Sequence, residues 1–278
     1  MPVERVDSAD DPRVALFRDL PASNLTRPSG LFIAEGWLVV ERLLASGRPI
    51  QSVLLDEKFR DELLPRFSTE TTIYEVPHAL VSQIVGFKFH RGVLACGRRG
   101  TEPTLEAYAR GWDEAPSRPR TVVIAADVND PENMGCILRN SAAFGVDLVL
   151  VNRRCADPIS RRVLRTSMGT IFRLPLVSSD DLHQDVQRLQ EKLGFEVAAT
   201  VLSPDAEPLY EARRSTRWAL LFGNEGHGLP AELANVCRRR VTLPMRGGTD
   251  SLNVGVASGI FLYHYTSPAA VAAAERAR

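Results

Sequence analysis

The stretch TVVIAADVNDPENMGCILRN, residues 121–140, decides the fold of this chain. Within it, Val122–Ala126 is a continuous apolar run, which is typical of a strand buried on both faces of a parallel sheet. Asp130 and Pro131 suit the N-cap and the first position of a helix that we expect over about 132–144. A strand that leads into a capped helix is the repeating unit of an α/β domain.

The same alternation of strand and helix continues towards the C-terminus. We predict further strands at Leu148–Val151, Leu174–Val177, Phe195–Thr200, Trp218–Phe222 and Val241–Leu243, and helices at 159–168, 179–193, 230–236 and 252–266. This alternation predicts a parallel sheet with helices on both faces. We assign residues 121–278 to that domain.

A second, smaller α/β pattern precedes this domain. Its predicted elements are a helix over 34–46 and strands at Ser52–Leu55, Thr72–Val76 and Gly92–Cys96. We therefore assign residues 1–98 to an N-terminal extension and a small α/β domain. Residues 99–120 are rich in proline, glycine and charge, which indicates a linker with one helical turn inside it.

The composition is that of an ordinary globular protein. The 34 Lys and Arg residues balance 34 Asp and Glu residues, so net charge does not by itself indicate a nucleic-acid partner. The four cysteines form no CxxC pair and no zinc-ligand spacing, so we expect no metal and free thiols in a reducing compartment. The sequence has no signal peptide and no apolar run of about 20 residues, which predicts a cytoplasmic protein without a membrane segment.

Two glycine-containing motifs follow predicted strands in the last third of the chain. Phe222–Pro230, FGNEGHGLP, has three glycines in six positions, and such a loop at a strand end suits either a tight turn or contact with a ligand. Leu243–Ala257, LPMRGGTDSLNVGVA, predicts a loop and then a helix capped by Ser251 or Asp250. Each motif alone is equally compatible with ordinary turn and cap structure.

Taken together, the three segments resemble a known family. The patterns D-x-x-x-P-x-N-x-G-x-x-x-R, G-N-E-G-x-G-L and L-P-M-x-x-x-x-x-S-L-N-V-x-V-A, in this order, resemble the signature of the SpoU/TrmH branch of the SPOUT RNA methyltransferases. The resemblance covers about 121–266. Residues 30–98 resemble, less closely, the family's small RNA substrate-binding domain, with His90-Arg91-Gly92 where the family more often has His-Gln-Gly.

The resemblance implies a fold, a cofactor and an assembly. The expected fold is a parallel-sheet SPOUT domain with a C-terminal deep trefoil knot, and the expected cofactor is S-adenosylmethionine. A homodimer that pairs through the helix at 252–266 is also implied. The positions that match cofactor-binding residues are Thr200, Leu202, Gly223, Asn224, Leu243, Met245 and Leu252.

The family's catalytic positions fall on five polar residues of this chain, namely Arg139, Asn133, Glu225, Ser251 and Asn253. Arg139 acts either as the base for the ribose hydroxyl or as a cation that stabilises the developing alkoxide. We favour the cation, because the reference pKa of arginine is about 12.5–13.8. Glu225 either orients Arg139 or balances the positive sulfonium of the cofactor.

A run of arginines suggests where RNA binds. Arg153, Arg154, Arg161, Arg162 and Arg165 are close in sequence, and Arg161 and Arg165 share one face of the predicted helix. We expect this face to contact RNA phosphates, the alternative being a merely solvated surface.

The expected function is S-adenosylmethionine-dependent methylation of a ribose 2′-hydroxyl, with ribosomal RNA favoured over transfer RNA. The alternatives are a transfer RNA enzyme of the same family, a SPOUT enzyme that methylates a base, and a non-catalytic RNA-binding or assembly protein.

Overall fold

A computed structural model describes residues 2–21, 29–112 and 118–276. Its strands are β1 (Val3–Arg5), β2 (Leu31–Glu35), β3 (Ile50–Asp56), β4 (Ile73–Val76), β5 (Val93–Arg98), β6 (Arg120–Ala125), β7 (Leu148–Asn152), β8 (Leu176–Ser179), β9 (Glu196–Thr200), β10 (Glu207–Pro208), β11 (Arg217–Phe222) and β12 (Arg239–Thr242).

The α-helices are α1 (Trp37–Ala45), α2 (Arg60–Leu63), α3 (His78–Val85), α4 (Leu105–Arg110), α5 (Pro131–Ala143), α6 (Arg161–Thr166), α7 (Leu182–Glu191), α8 (Ala231–Val236), α9 (Val254–Thr266) and α10 (Pro268–Arg276). Short 3₁₀ helices occur at Pro12–Phe17, Glu57–Phe59, Leu64–Arg66 and Thr170–Arg173. In the described ranges, no helix is long and apolar enough to cross a membrane.

The chain divides into two compact units whose bounds differ from the predicted domains. Unit 1 comprises Met1–Thr101 and Ile159–Arg173, and unit 2 comprises Glu102–Pro158 and Leu174–Arg278. The segment 159–173, which we had assigned to the 121–278 domain, thus clusters with unit 1. Most of the described part of the predicted linker belongs to unit 2, which begins at Glu102, and Leu105, Ala109 and Trp112 are buried in that unit's core.

Unit 1 contains a five-stranded mixed sheet with the order β1-β4-β3-β5-β2. The strands β1, β4 and β3 run parallel, and β5 is antiparallel to both β3 and β2. The residues predicted to be an N-terminal extension are part of this unit: β1 pairs with β4, and Val14 and Phe17 are buried in the unit's core. The predicted helix over 34–46 begins late, because residues 34 and 35 belong to β2 and Gly36 turns the chain at a φ of 84°.

Unit 2 contains a seven-stranded sheet with the order β10-β12-β9-β11-β6-β7-β8. Every strand pair in it is parallel, which confirms the predicted α/β class. Parallel strands end at the same edge of a sheet, so the loops after β9, β11 and β12 lie near one another. The trefoil knot stays a prediction.

Two helix starts in unit 2 position polar side chains. The predicted cap of α5 is confirmed, since the Asp130 carboxylate accepts hydrogen bonds from the backbone N–H groups of Glu132 (2.9 Å) and Asn133 (2.8 Å). The predicted cap of α9 is wrong. Asn253, not Ser251 or Asp250, accepts from the N–H of Val256 at 3.2 Å, and the helix starts at Val254.

Candidate active site

A pocket of about 440 Å³ lies where the strands β9, β11 and β12 end. Strand ends of this kind are where open parallel sheets bind ligands, and the volume is within the roughly 300–1,000 Å³ that ligand pockets occupy. All seven predicted cofactor-binding residues line it: Thr200, Leu202, Gly223, Asn224, Leu243, Met245 and Leu252. Two predicted catalytic residues, Glu225 and Ser251, line it as well.

The loop after β11 is a tight hairpin that requires glycine at its start. Asn224 and Gly228 exchange two backbone hydrogen bonds, of 3.1 and 2.9 Å. A Cβ atom on Gly223 would lie 2.6 Å from the carbonyl carbon of Gly228, closer than real Cβ atoms approach. Gly228 itself has a φ of 70°, which favours glycine. The FGNEGHGLP motif therefore forms a compact wall of the pocket.

The opposing loop leaves backbone groups available to a ligand. Between Leu243 and Leu252, the one backbone–backbone hydrogen bond recorded among described residues joins Thr249 N–H to Arg246. The N–H groups of Leu243, Met245 and Leu252 thus have no backbone acceptor in the part of the chain that the structure describes. Unpaired backbone donors beside apolar side chains suit a planar heterocycle that needs both contact and hydrogen bonds.

The charge in the pocket also suits S-adenosylmethionine. Of the described lining residues, Glu225 alone carries a carboxylate, and a carboxylate favours a cationic sulfonium over a neutral or anionic ligand. Apolar walls include Leu202, Leu229 and Phe261, which fit an adenosine. Volume, backbone donors and charge therefore all fit the cofactor that the sequence predicts.

Three polar side chains form a hydrogen-bonded chain at the edge of this pocket. Asn253 donates through Nδ2 to Oδ1 of Asn133 at 2.6 Å, and Asn133 donates through Nδ2 to Oε1 of Glu225 at 2.5 Å. Asn133 is only 9% exposed, so its amide has little alternative to these partners. The structure thus brings together four of the five predicted catalytic residues, with Ser251 on the pocket wall.

Arg139 lies apart from this chain. It projects from α5, its side chain is exposed, and it does not line the pocket. Within the described residues it has no hydrogen bond or ion pair, and Glu225 is bonded to Asn133 instead. This geometry does not favour the hypothesis that Glu225 orients Arg139.

The predicted RNA-binding arginines separate into two groups. In unit 2, Arg153 and Arg154 are exposed and donate to Asp180 and Asp127, each at 2.7 Å.

In unit 1, Arg161 is bound to buried Glu35 at 2.5 Å and lies 4.8 Å over the ring of Phe87. Its side chain is only 18% exposed, so it does not offer a free cation to RNA. The contact of Arg161 with RNA phosphates therefore stays a prediction, and this geometry does not favour it, because the buried Glu35 carboxylate requires a cationic partner. Arg165 is half-buried and has no ion pair with a described residue.

One group of polar residues was missed by the sequence analysis. Asp127 has a φ of 59°, rare for a residue other than glycine, and it lines a second pocket with Asn129, Arg154 and His227. Asp127 begins the first signature pattern, so a signal was present. The residues that contact Asp127 could not be predicted, because they depend on the order of the strands in the sheet.

A parallel sheet whose carboxyl edge holds a pocket and a chain of polar side chains defines an α/β enzyme with a small-molecule cofactor. The family profile described as the SpoU rRNA Methylase family matches residues 120–263 of this chain, and the chain belongs to that family.

Relatives and solved structures agree with this membership. An uncharacterized tRNA/rRNA methyltransferase of Mycobacterium tuberculosis strain H37Rv is 36% identical over 95% of this chain and 92% of its own. The 23S rRNA (guanosine(2553)-2′-O)-methyltransferase RlmP of Bacillus subtilis is 27% identical over 94% of this chain and 99% of its own. The S-adenosylmethionine-bound rRNA methyltransferase of Sinorhizobium meliloti has a TM-score of 0.77 and 28% identity, covering 94% of this chain and 97% of its own. The chain is thus an RNA methyltransferase that uses S-adenosylmethionine.

Proposed function

We propose that this enzyme methylates a ribose 2′-hydroxyl of RNA, with ribosomal RNA as the substrate class. The observation that carries the proposal is the hydrogen-bonded chain from Asn253 through Asn133 to Glu225, which reaches the cofactor pocket. The RlmP relative is named as a 2′-O-methyltransferase of 23S rRNA, which supports both the ribose and the ribosomal RNA.

The bound cofactor supplies an already activated methyl group. The protein then has to hold the cofactor, place the hydroxyl in line and manage charge. Backbone groups of Leu243, Met245 and Leu252 would hold the cofactor, and the Glu225 carboxylate on the pocket wall would balance its positive charge. Asn133 fixes the carboxylate by donating to it.

Arg139 is the residue that meets the hydroxyl when RNA is bound. Its guanidinium is exposed and has no ion pair among the described residues, so it is available to substrate. A guanidinium cation can stabilise an alkoxide as its negative charge develops. A cation without an ion pair is therefore suited to stabilise an oxygen nucleophile.

The residues that line the pocket also favour methylation of a ribose oxygen over methylation of a base carbon. Methylation at a pyrimidine carbon generally needs a nucleophilic side chain to activate the ring. No described lining residue is a cysteine. The hydroxyl and amide groups that are present would instead hydrogen-bond to a sugar hydroxyl.

Transfer RNA is the second candidate substrate, because the mycobacterial relative bears the name tRNA/rRNA methyltransferase. Unit 1 is the part that we propose to bind the RNA body. Its loop between α3 and β5 exposes Lys88, His90 and Arg91, and Arg165 adds a further cation to that unit. Since RNA of both kinds is cytoplasmic in bacteria such as these relatives, we infer a cytoplasmic location.

We further propose a homodimer that pairs through α9. Val256, Ile260 and Tyr263 follow helical spacing and expose 55%, 38% and 69% of their surface. The other face of α9 is already packed against α5, where Asn140 donates to the carbonyl of Gly255 at 2.8 Å. An apolar helix face left open in this way suits a second copy of the chain.

The decisive experiment is transfer of tritiated methyl groups from S-adenosylmethionine to unmodified ribosomal and transfer RNA transcripts. A 2′-O-methyl group protects the adjacent phosphodiester from alkaline hydrolysis, so the label should appear in alkali-resistant dinucleotides. Label in single nucleotides after alkali would mean base methylation and would refute the ribose proposal. RNA binding without any transfer would favour the non-catalytic alternative.

A further inference from the structure

A second pocket, of about 250 Å³, adjoins the cofactor pocket. The two share Asn224, His227 and Gly228 as wall residues. The remaining walls of the second pocket include Asp127, Asn129 and Arg154, none of which the signature of the family assigns to cofactor or catalysis.

Asp127 is held in an unusual backbone conformation by its surroundings. Its φ of 59° is in the left-handed region, which aspartate tolerates better than most residues. The N–H of Asp127 donates to Oδ1 of Asn152 at 3.1 Å, and the Asn224 side chain donates to the Asp127 carbonyl at 2.9 Å. The ends of β6 and β7 and the loop after β11 therefore fix this residue together.

The Asp127 carboxylate in turn orients Arg154. Its Oδ1 accepts from Nδ2 of Asn152 at 2.5 Å and from Nε of Arg154 at 2.7 Å. The Arg154 side chain is 68% exposed, and its terminal nitrogens have no bond recorded to the described residues. With Nε held by Asp127, the two terminal nitrogens and the flat face of the guanidinium remain for a ligand of the pocket that Arg154 lines.

The charge of this pocket selects among RNA components. The charges of Asp127 and Arg154 cancel, so the pocket has no net charge. It still contains hydrogen-bond donors and acceptors side by side, and Asn129 adds an amide to them. A phosphate site needs excess positive charge. A nucleobase is neutral, carries donors and acceptors on one edge, and stacks on guanidinium planes.

We propose that this pocket binds a nucleobase of the RNA, the base of the nucleotide whose ribose lies at the cofactor pocket. The inference rests on the proposed ribose methylation, because the shared wall then places sugar and base of one nucleotide in adjoining pockets. It changes the role predicted for Arg154 from a phosphate contact to a contact that reads the base.

The first test measures binding without any methyl transfer. The protein, saturated with S-adenosylhomocysteine, is titrated with the four ribonucleoside 5′-monophosphates and with inorganic phosphate, while the Arg154 side-chain Nε resonance is followed by NMR. At least one nucleotide should shift this resonance where phosphate does not, and Arg154→Ala should abolish binding of that nucleotide. Equal shifts with inorganic phosphate, or none with any nucleotide, would overturn the proposal.

The second test uses methyl transfer to the RNA transcripts. Asp127→Asn and Arg154→Ala should lower kcat/KM for RNA by about tenfold or more, as loss of a bidentate base contact does, while the Kd for S-adenosylmethionine stays within about twofold. The matched control is Arg118→Ala, which removes another exposed arginine paired with an aspartate, before β6 and outside both pockets. The Tm of each variant checks that the fold is retained.

The salt dependence of RNA binding separates a base contact from a phosphate contact. Arg154→Ala should leave the slope of log K against log salt unchanged, whereas a lost phosphate contact would reduce it by about one. A reduced slope, or variants that transfer methyl groups as fast as the unmodified enzyme, would contradict the proposal that this pocket binds a base. Neither result would contradict the proposed ribose methylation. Absence of ribose label with the unmodified enzyme would instead contradict the proposed function, and the nucleotide titration would still decide the pocket.

Discussion

Asn133 and Glu225 are 92 residues apart in sequence and are joined by a hydrogen bond of 2.5 Å. The bond connects the first turn of α5 to the loop after β11, and it exists because β6 and β11 are neighbours in the sheet. The neutral amide of Asn133 thereby holds the charged carboxylate of Glu225 at the cofactor pocket. The charge can therefore be moved from residue 225 to residue 133 by exchanging the two polar groups.

Exchanging the two polar groups tests this relationship. Asn133→Asp should lower methyl transfer by about tenfold or more, because it sets two carboxylates against each other where a donor is needed. The double variant Asn133→Asp, Glu225→Gln restores a donor and an acceptor. We expect it to transfer faster than the single variant while binding S-adenosylmethionine more weakly than the unmodified enzyme, since the charge has moved.

Calorimetry with the cofactor and a methyl-transfer assay measure the two effects separately. Equal transfer by the single and double variants would mean that the hydrogen bond does not position Glu225. The folding stability of Asn133→Asp should fall as well, by roughly 1–3 kcal/mol, because Asn133 is only 9% exposed and its side chain has little alternative to its present partners.

The loop after β11 should not tolerate a side chain at its first glycine. Gly223→Ala places a methyl group 2.6 Å from the Gly228 backbone, and we expect a loss of roughly 1–3 kcal/mol in stability together with weakened cofactor binding. Gly226→Ala is the control for stability, because its Cβ would meet nothing nearer than Asn224 Oδ1 at 3.5 Å. Thermal unfolding of both variants, with and without S-adenosylmethionine, gives the comparison. Equal Tm values would contradict the close approach.

The apolar face of α9 should control the oligomeric state. Val256→Glu places a charge on a residue that is 55% exposed, so the isolated chain should keep its fold while a dimer that buries this face dissociates. Tyr210→Glu is a matched control, since Tyr210 is 71% exposed and lies outside α9. Light scattering after gel filtration should give a dimer for the unmodified chain and the control, and a monomer for Val256→Glu. A monomeric unmodified chain would contradict the dimer.

The features of the fold and the site that the sequence predicts are those set by residues close together in the chain. Apart from β10 and α10, the strands and helices of unit 2 follow from local periodicity, and the cap at Asp130 follows from two adjacent residues. The seven cofactor-pocket residues share a site because parallel strands end at one edge.

The errors lie where a distant partner overrides the local pattern. Residues 34 and 35 were predicted to be helical because they precede a helical run, but pairing of β2 with β5 makes them strand. Arg161 was predicted to contact RNA phosphates together with Arg165, yet Glu35, 126 residues away, binds it. The strand β10 has two residues and forms only by pairing with β12, so its local sequence gives no signal.

Folding stability should decline in alkaline solution because of buried thiols. Burial raises the pKa of Cys96 and Cys155 to about 11 and that of Cys237 to about 12. Since an unfolded thiol titrates near about 8.5, the folded state holds more protons between these values. The thiol contribution is therefore complete below about pH 8.5 and is lost as the pH rises towards 11. Urea unfolding at several pH values measures the decline, and Cys237→Ala should make it less steep. An unchanged slope in that variant would exclude this thiol as a cause.

Arg139 can be assigned as cation or base by comparing two substitutions. Arg139→Ala should reduce methyl transfer by about a hundredfold or more and leave the Kd for S-adenosylmethionine unchanged, because the side chain does not line the pocket.

Arg139→Lys then separates the role of a base from that of a fixed cation. Lysine has a reference pKa of about 10.4, far below that of arginine, so a lysine is deprotonated more often at neutral pH. If residue 139 removed the proton from the hydroxyl, the lysine variant would be the faster enzyme near pH 7. If it stabilises the alkoxide as a fixed cation, the lysine variant loses the planar fork of donors and is slower at every pH. We expect the slower enzyme, and single-turnover rates of methyl transfer from pH 6 to 9 provide the measurement.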